Sequence, residues 1–191
     1  MKIGVLALQG AFIEHQHLLE MLGVETFQIR NLNDLQKPMN GMILPGGEST
    51  AMGKLLKDLN LFYPIKSLIE SGLPVFGTCA GLILLSKAID DSSVSHFGLL
   101  DVHTKRNAYG RQLSSFKIHH DFDGKTIPMT FIRAPYIDAY GETFRVLSTY
   151  QGKVVAGRTN NMLVTAFHPE LTLDTTVHAY FIEMVQQRTL S

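Results

Sequence analysis

The chain has 191 residues, 45% hydrophobic and 18% charged, which suits one domain with a sizeable core. Lys plus Arg and Asp plus Glu both number 17, so the net charge is zero, and that argues against a nucleic-acid binder, which needs an excess of basic charge. A single cysteine forms no internal disulfide, which fits a reducing cytoplasmic setting, and no segment has the length of a membrane span.

The start, Met1-Lys2-Ile3-Gly4-Val5, is too short and interrupted for a signal peptide and reads as a buried strand, Ile3 to Leu8. Residues 11–22 follow a helical period with Phe12, His15 or Gln16, Leu19 and Leu22 on one face, and Gly23 ends the helix. Val24 to Ile29 and Met42 to Leu44 read as strands, the latter stopped by Pro45-Gly46-Gly47. Residues 49–58 and 62–71 are helical, Leu73 to Phe76 is a strand, and Leu82 to Ala88 is a helix. This alternation predicts an α/β fold with a mainly parallel central sheet flanked by helices. After about residue 95 strand-like pieces follow one another at 113–118, 129–133, 144–150, 153–158 and 161–167, before a last helix at 175–187. These later strands extend the sheet or add a small antiparallel layer. No linker, repeat or low-complexity segment divides the chain, so residues 1–191 read as one domain.

The cysteine lies in Gly77-Thr78-Cys79-Ala80-Gly81, between a strand and a helix. Gly-x-Cys-x-Gly in that context has the pattern of a nucleophile elbow with Cys in place of Ser. The small residues at 77, 80 and 81 let neighbouring backbone pass close by. The helix N-terminus favours a thiolate, and the carboxyl edge of the sheet is where ligands bind in open α/β folds. Taken alone, the pentapeptide is equally compatible with a buried structural cysteine.

A thiolate nucleophile needs a base. In Thr165-Ala166-Phe167-His168-Pro169-Glu170-Leu171-Thr172, His168 and Glu170 sit two apart, on the same side of an extended chain. Glu170 then orients the His168 ring and leaves the other nitrogen to face Cys79, the logic of a catalytic triad. A surface His and Glu at a strand end is the alternative for this pair by itself; with the cysteine elbow the two favour catalysis. Oxyanion donors are available at the Ala80 N–H and in Leu44-Pro45-Gly46-Gly47-Glu48-Ser49-Thr50, where Gly47 offers an approachable N–H. The alternative there is a tight turn with Ser49 as a helix N-cap. Among the other histidines, His15 and His17 share no face and His119 and His120 point opposite ways in a strand. No cluster has convincing metal spacing.

Gly77-Thr78-Cys79-Ala80-Gly81, Gly46-Gly47-Glu48-Ser49-Thr50 and His168-Pro169-Glu170-Leu171-Thr172 together resemble a class I, or triad, glutamine amidotransferase domain. "LALQGAFIEH" at 6–15, "RNAYGRQ" at 106–112 and "IRAPYI" at 132–137 narrow the resemblance to the glutaminase subunits of pyridoxal 5′-phosphate synthase, the PdxT family, over nearly the whole chain. The resemblance implies hydrolysis of L-glutamine to L-glutamate and ammonia through a γ-glutamyl thioester. Cys79, His168 and Glu170 would be the triad, and the N–H groups of Gly47 and Ala80 the oxyanion hole. Substrate contacts map onto Gly47, Glu48, Ser49, Arg106, Ile132 and Arg133. A guanidinium at Arg106 suits the α-carboxylate of glutamine, and Glu48 suits its ammonium. Read without the resemblance, Arg106 is a solvated charge at a strand end.

The resemblance further implies that ammonia passes to a synthase subunit within a large hetero-oligomeric complex, for vitamin B6 biosynthesis. Docking of the synthase's N-terminal segment would arrange the oxyanion hole near residues 46–47, with Gln9 and Gly10 taking part in the coupling. Pyridoxal phosphate is then the assembly's product, and no cofactor is expected in this chain. The competing readings are another triad amidotransferase, such as the glutaminase of imidazole glycerol phosphate synthase; a hydrolase or chaperone with a related cysteine elbow, in which a His usually follows the Cys directly; and a non-catalytic partner module.

Overall fold

The computed structural model describes residues 1–90, 95–106 and 115–189. The first half alternates strand and helix: β1 (Lys2–Leu6), α1 (Phe12–Met21), β2 (Glu25–Ile29), β3 (Gly41–Leu44), α2 (Ser49–Asp58), α3 (Phe62–Glu70), β4 (Val75–Thr78) and α4 (Ala80–Leu85). Strands then dominate: β5 (Ser86–Ile89), β6 (Leu100–Lys105), β7 (Ser115–Phe122), β8 (Lys125–Ile132), β9 (Tyr136–Tyr140), β10 (Arg145–Tyr150), β11 (Lys153–Arg158) and β12 (Met162–Thr165). A 3-10 turn at Pro169–Leu171 precedes α5 (Thr176–Thr189).

The main sheet runs β2-β1-β3-β4-β12-β11-β9-β6-β5, with β10 also paired to β11. Its first five strands are all parallel, and every residue of β3, β4 and β12 is buried. That follows from helices covering both faces of a parallel sheet, which requires apolar residues on both sides of each strand. α2 shows the matching half of the bargain, with Ser49, Met52, Gly53 and Leu56 buried along one stripe. Beyond β12 the pairing turns antiparallel through β11, β9 and β6, and β7 and β8 form a separate two-stranded hairpin.

The predicted helix over 82–88 is corrected. α4 ends at Leu85, and 86–89 form β5, parallel to β6. The backbone turns extended at Ser86, whose hydroxyl bonds the Leu82 carbonyl and Thr104 Oγ1, each at 2.7 Å. The second partner is remote in sequence, so the apolar run 81–85 gives no hint of where the helix stops. β6 and β9 also escape the sequence reading: β6 alternates, burying Leu100, Val102 and Thr104 between Asp101, His103 and Lys105, but over only six residues, and β9 fully buries Ile137 alone. β8 starts earlier than predicted and holds Pro128. A proline is tolerated in a two-stranded hairpin, where each strand has an unpaired edge. Residues 113–114 of one predicted strand lie outside the described residues.

Candidate active site

Four chain segments meet because β1, β3, β4 and β12 are consecutive parallel neighbours and all end on the same edge. β3 leads into Gly46-Gly47-Glu48, β4 into Cys79 and β12 into His168. The register places Thr78 opposite Thr165 and Gly77 opposite Leu44, so the cysteine is flanked by the glycine loop on one side and the histidine on the other.

Cys79 has φ 47° and ψ −96°, a conformation that costs a non-glycine residue about 1–3 kcal/mol. Its N–H bonds Thr165 O at 2.8 Å, and its carbonyl accepts the first helical bond, from Ile83, at 3.2 Å. The strained residue is thereby held between strand and helix, with 7% of its surface exposed. The small neighbours are explained as expected. A Cβ on Gly81 would stand 2.1 Å from the Leu44 carbonyl oxygen, so α4 packs directly on the backbone of β3.

His168 is anchored by its N–H to Thr130 O at 2.8 Å, and its imidazole lies against Gly46. Nδ1 is 2.6 Å from Oε1 of Glu170, whose side chain has no exposed surface. The pair forms as expected but by a different geometry. Residues 169–171 are a 3-10 turn with Pro169 in its first turn, not extended chain. Burial works against a charged His168 ring, but hydrogen bonds to Cys79 and Glu170 and the electrostatic pull of those side chains outweigh it, pushing the ring up to about 10. The ring is therefore an imidazolium at neutral pH, next to the cysteine.

The loop after β1 braces the glycine loop. Gln9 Oε1 accepts the Glu48 N–H at 2.9 Å, and Ala11 N–H bonds Gly46 O at 3.3 Å. Glu48 differs from expectation in one respect: it, and not Ser49, is the N-cap of α2, accepting from Thr50 N at 3.0 Å and Ala51 N at 2.7 Å. Burial opposes its charge, but these N–H groups and the Arg106 guanidinium hold its carboxyl below the usual range. Arg106 carries a buried Nε without a hydrogen-bond partner among the described residues. The rest of "RNAYGRQ", 107–112, lies outside the described residues. Ile132 ends β8, two residues past the Thr130 that binds His168, and is 39% exposed. Arg133 follows with φ 43°, which suits a role carried by its backbone.

The sequence reading passed over three residues. His15 is fully buried, with Nε2 3.2 Å from Thr78 Oγ1 and 3.6 Å from Glu170 Oε2. His178 of α5 stands behind it, Nε2 to His15 Nδ1 2.8 Å. The signal was available for His15: it falls on the apolar stripe of α1, where a polar residue needs a partner. His178 and Thr78 gave none. No group of three or more His, Cys, Asp or Glu suited to a metal ion occurs among the described residues.

A cysteine elbow at the carboxyl edge of a parallel sheet, facing a His–Glu pair and a glycine loop, has the arrangement of a triad amidotransferase. The chain belongs to the SNO glutamine amidotransferase family, whose model matches residues 5–187. It is 56% identical, over 98% of its length and 99% of theirs, to the pyridoxal 5′-phosphate synthase subunit PdxT of Streptococcus pneumoniae strain CGSP14. The subunit of the same name from Haemophilus influenzae strain PittEE is 55% identical over 96% of this chain and 98% of that protein. A crystal structure described as a glutamine amidotransferase superposes with a TM-score of 0.91 at 38% identity, covering 96% of this chain and 98% of that one. The PurLQS structure from Thermotoga maritima, at 17% identity and a TM-score of 0.65, shares the fold.

Proposed function

We propose that the chain is the glutaminase subunit of a pyridoxal 5′-phosphate synthase, releasing ammonia from L-glutamine for a synthase partner. The observation that carries the reading is the strained Cys79 at the same sheet edge as His168, whose ring is held by Glu170 at 2.6 Å.

The steps follow from those positions. Cys79 Sγ attacks the side-chain amide carbon, and the N–H groups of Gly47 and Ala80 receive the oxyanion. Ala80 is the first residue of α4, where N–H groups have no intrahelical acceptor. The C–N bond breaks as the His168 ring delivers its proton to the departing nitrogen, leaving ammonia and a γ-glutamyl thioester. The ring, now neutral, takes a proton from water. The resulting hydroxide attacks the thioester carbonyl, the C–S bond breaks, and glutamate leaves. Glu170 keeps the ring oriented and supports its charge in both halves.

Glu48 and Arg106, close enough for the guanidinium to help hold the Glu48 carboxyl down, offer opposite charges to the α-ammonium and α-carboxylate of glutamine. Gly47, Ser49, Ile132 and Arg133 complete the contacts. Gln9 and Gly10 transmit partner docking to the oxyanion loop. The name shared by the relatives supports a synthase partner; we extend this to a large hetero-oligomeric complex in the cytoplasm. No described helix is long and apolar enough to cross a membrane. The test is glutamate release from L-glutamine by the purified chain, with and without the synthase subunit and with Cys79→Ala as the blank. Strong stimulation absent from the variant supports the reading; no release in either condition overturns it.

A further inference from the structure

Glu170 has two carboxylate oxygens and the triad uses only one. Oε1 meets His168; Oε2 has no hydrogen-bond partner among the described residues, although it is buried. The polar atom facing it is Nε2 of His15, at 3.6 Å. That nitrogen also lies 3.2 Å from Oγ1 of Thr78, the residue before the nucleophile. On its other side His15 Nδ1 meets His178 Nε2 at 2.8 Å, and His178 Nδ1 is a buried atom with no partner among the described residues. Three elements, α1, α5 and the end of β4, thus converge on the back of the triad.

Counting protons gives this chain of rings a direction. Both rings are buried, and burial keeps both neutral: it holds His15 well below its usual value, helped by the neighbouring His178 and His168, and pushes His178 down to about 3. A neutral imidazole carries one N–H. If His15 carried it on Nδ1, His178 would have to place its own proton on the partnerless Nδ1, burying a donor unsatisfied, and His15 would turn a lone pair toward the Glu170 carboxylate. Both are costly. With the proton on His178 Nε2, donated to His15 Nδ1, only a lone pair is left without a partner. His15 Nε2–H then donates to Thr78 Oγ1 and points at Glu170 Oε2. The two requirements select the same tautomer.

We propose that His15 is a positioning residue of the triad, locked by His178 into the tautomer whose Nε2–H faces Thr78 and the second oxygen of Glu170. This dipole attracts Oε2 and fixes the rotation of the carboxyl group, so that Oε1 stays on His168. At 3.6 Å the contact with Oε2 is a directed N–H dipole and not a hydrogen bond. The catalytic consequence rests on the glutaminase reading; the tautomer does not. A purely packing role is the competitor, because both rings meet Phe76 edge-on, at 5.9 and 5.6 Å.

Two measurements on the full chain test it. Ring-nitrogen NMR of the 15N-labelled protein, with His15 assigned by its loss in His15→Gln, is expected to show the Nε2–H form; an Nδ1–H form overturns the proposal. Steady-state glutaminase assays with the synthase subunit then compare His15→Gln, whose amide nitrogen reaches the Nε2 position, with His15→Leu, which keeps volume and loses the donor. We expect His15→Leu to lower kcat by roughly tenfold or more with KM for glutamine little changed, and His15→Gln to recover most of the loss. Equal kcat in His15→Leu and wild type, or equal impairment in both variants, overturns it. Should His15→Leu fail to fold, His178→Phe removes the lock without touching His15, and is expected to shift the His15 tautomer population; an unchanged population counts against the lock. A wild type that releases no glutamate defeats the glutaminase reading and leaves the tautomer to be decided by NMR.

Discussion

The side-chain oxygen of Gln9 accepts the backbone N–H of Glu48 at 2.9 Å, tying the loop after β1 to the loop after β3. The tie matters because Gly47, directly before Glu48, is the proposed oxyanion donor. A peptide N–H serves there only if its plane is fixed, and the Gln9 bond fixes the next peptide along. Gln9→Ala is therefore expected to reduce partner-stimulated glutamate release by about threefold to tenfold, the range of one net hydrogen bond. Stability should change little, since the site is at the surface. Titrating the variant with the synthase subunit checks this, and undiminished stimulation would refute it.

Glu48 and Arg106 separate by kinetics. Arg106 has a buried Nε without a hydrogen-bond partner among the described residues, and Arg106→Lys is expected to raise KM for glutamine about tenfold or more while kcat falls less, because an ammonium does not reproduce a two-point carboxylate contact. Glu48 has a second task as the N-cap of α2. Glu48→Ala should therefore also lower stability by about 1 kcal/mol, the usual cost of a lost cap. Denaturant melts beside steady-state kinetics on both variants distinguish the roles: only the Glu48 variant should move the midpoint.

Much of this site was legible because its parts are local. Gly-x-Cys-x-Gly, the glycine loop and His-Pro-Glu each occupy a few consecutive residues at strand ends, and a parallel sheet brings neighbouring strand ends together without further instruction. Residues that act across the fold were less visible. His178 gains its meaning only when α5 packs against α1, and Ser86 ends a helix only because Thr104 lies beside it. The His168–Glu170 contact was anticipated from an extended geometry that the chain does not use; a 3-10 turn started by Pro169 achieves the same contact. Strands β5 and β9 bury too few residues to alternate visibly, and the six-residue alternation of β6 gains weight only from its neighbours β5 and β9 in the folded sheet.

The raised His168 ring makes stability depend on pH in a definite direction. In the unfolded chain the ring titrates near 6.5 and in the folded protein at about 10. Its contribution is fully present below the lower value and is lost as pH rises through the upper one. Glu170→Gln removes one of the supporting charges. The difference in thermal midpoint between wild type and Glu170→Gln is thus expected to be largest near pH 6.5 and to shrink towards pH 10. Melts across that window check it; a constant difference would mean that Glu170 stabilises the fold by packing alone.

Gly10 offers a test of how closely the two active-site loops are fitted. Its φ is +87°, and a Cβ there would lie 1.7 Å from the Gly46 carbonyl oxygen. Two penalties are combined: a left-handed backbone that side chains rarely adopt, and a collision with main chain that cannot swing away. Gly124, in the hairpin between β7 and β8, has nearly the same φ of +84° but nothing within 4 Å of the built Cβ. Gly124→Ala therefore isolates the backbone penalty, about 1 kcal/mol, and should leave glutaminase activity intact. Gly10→Ala adds the collision, which is relieved only if the Gly10 or the Gly46-Gly47 backbone moves. It is expected to lose most partner-stimulated glutamate release and to melt well below Gly124→Ala. Paired melts and assays of the two variants measure the close approach directly; equal behaviour would show that the loops are free to separate and that Gly10 acts through its backbone angle alone.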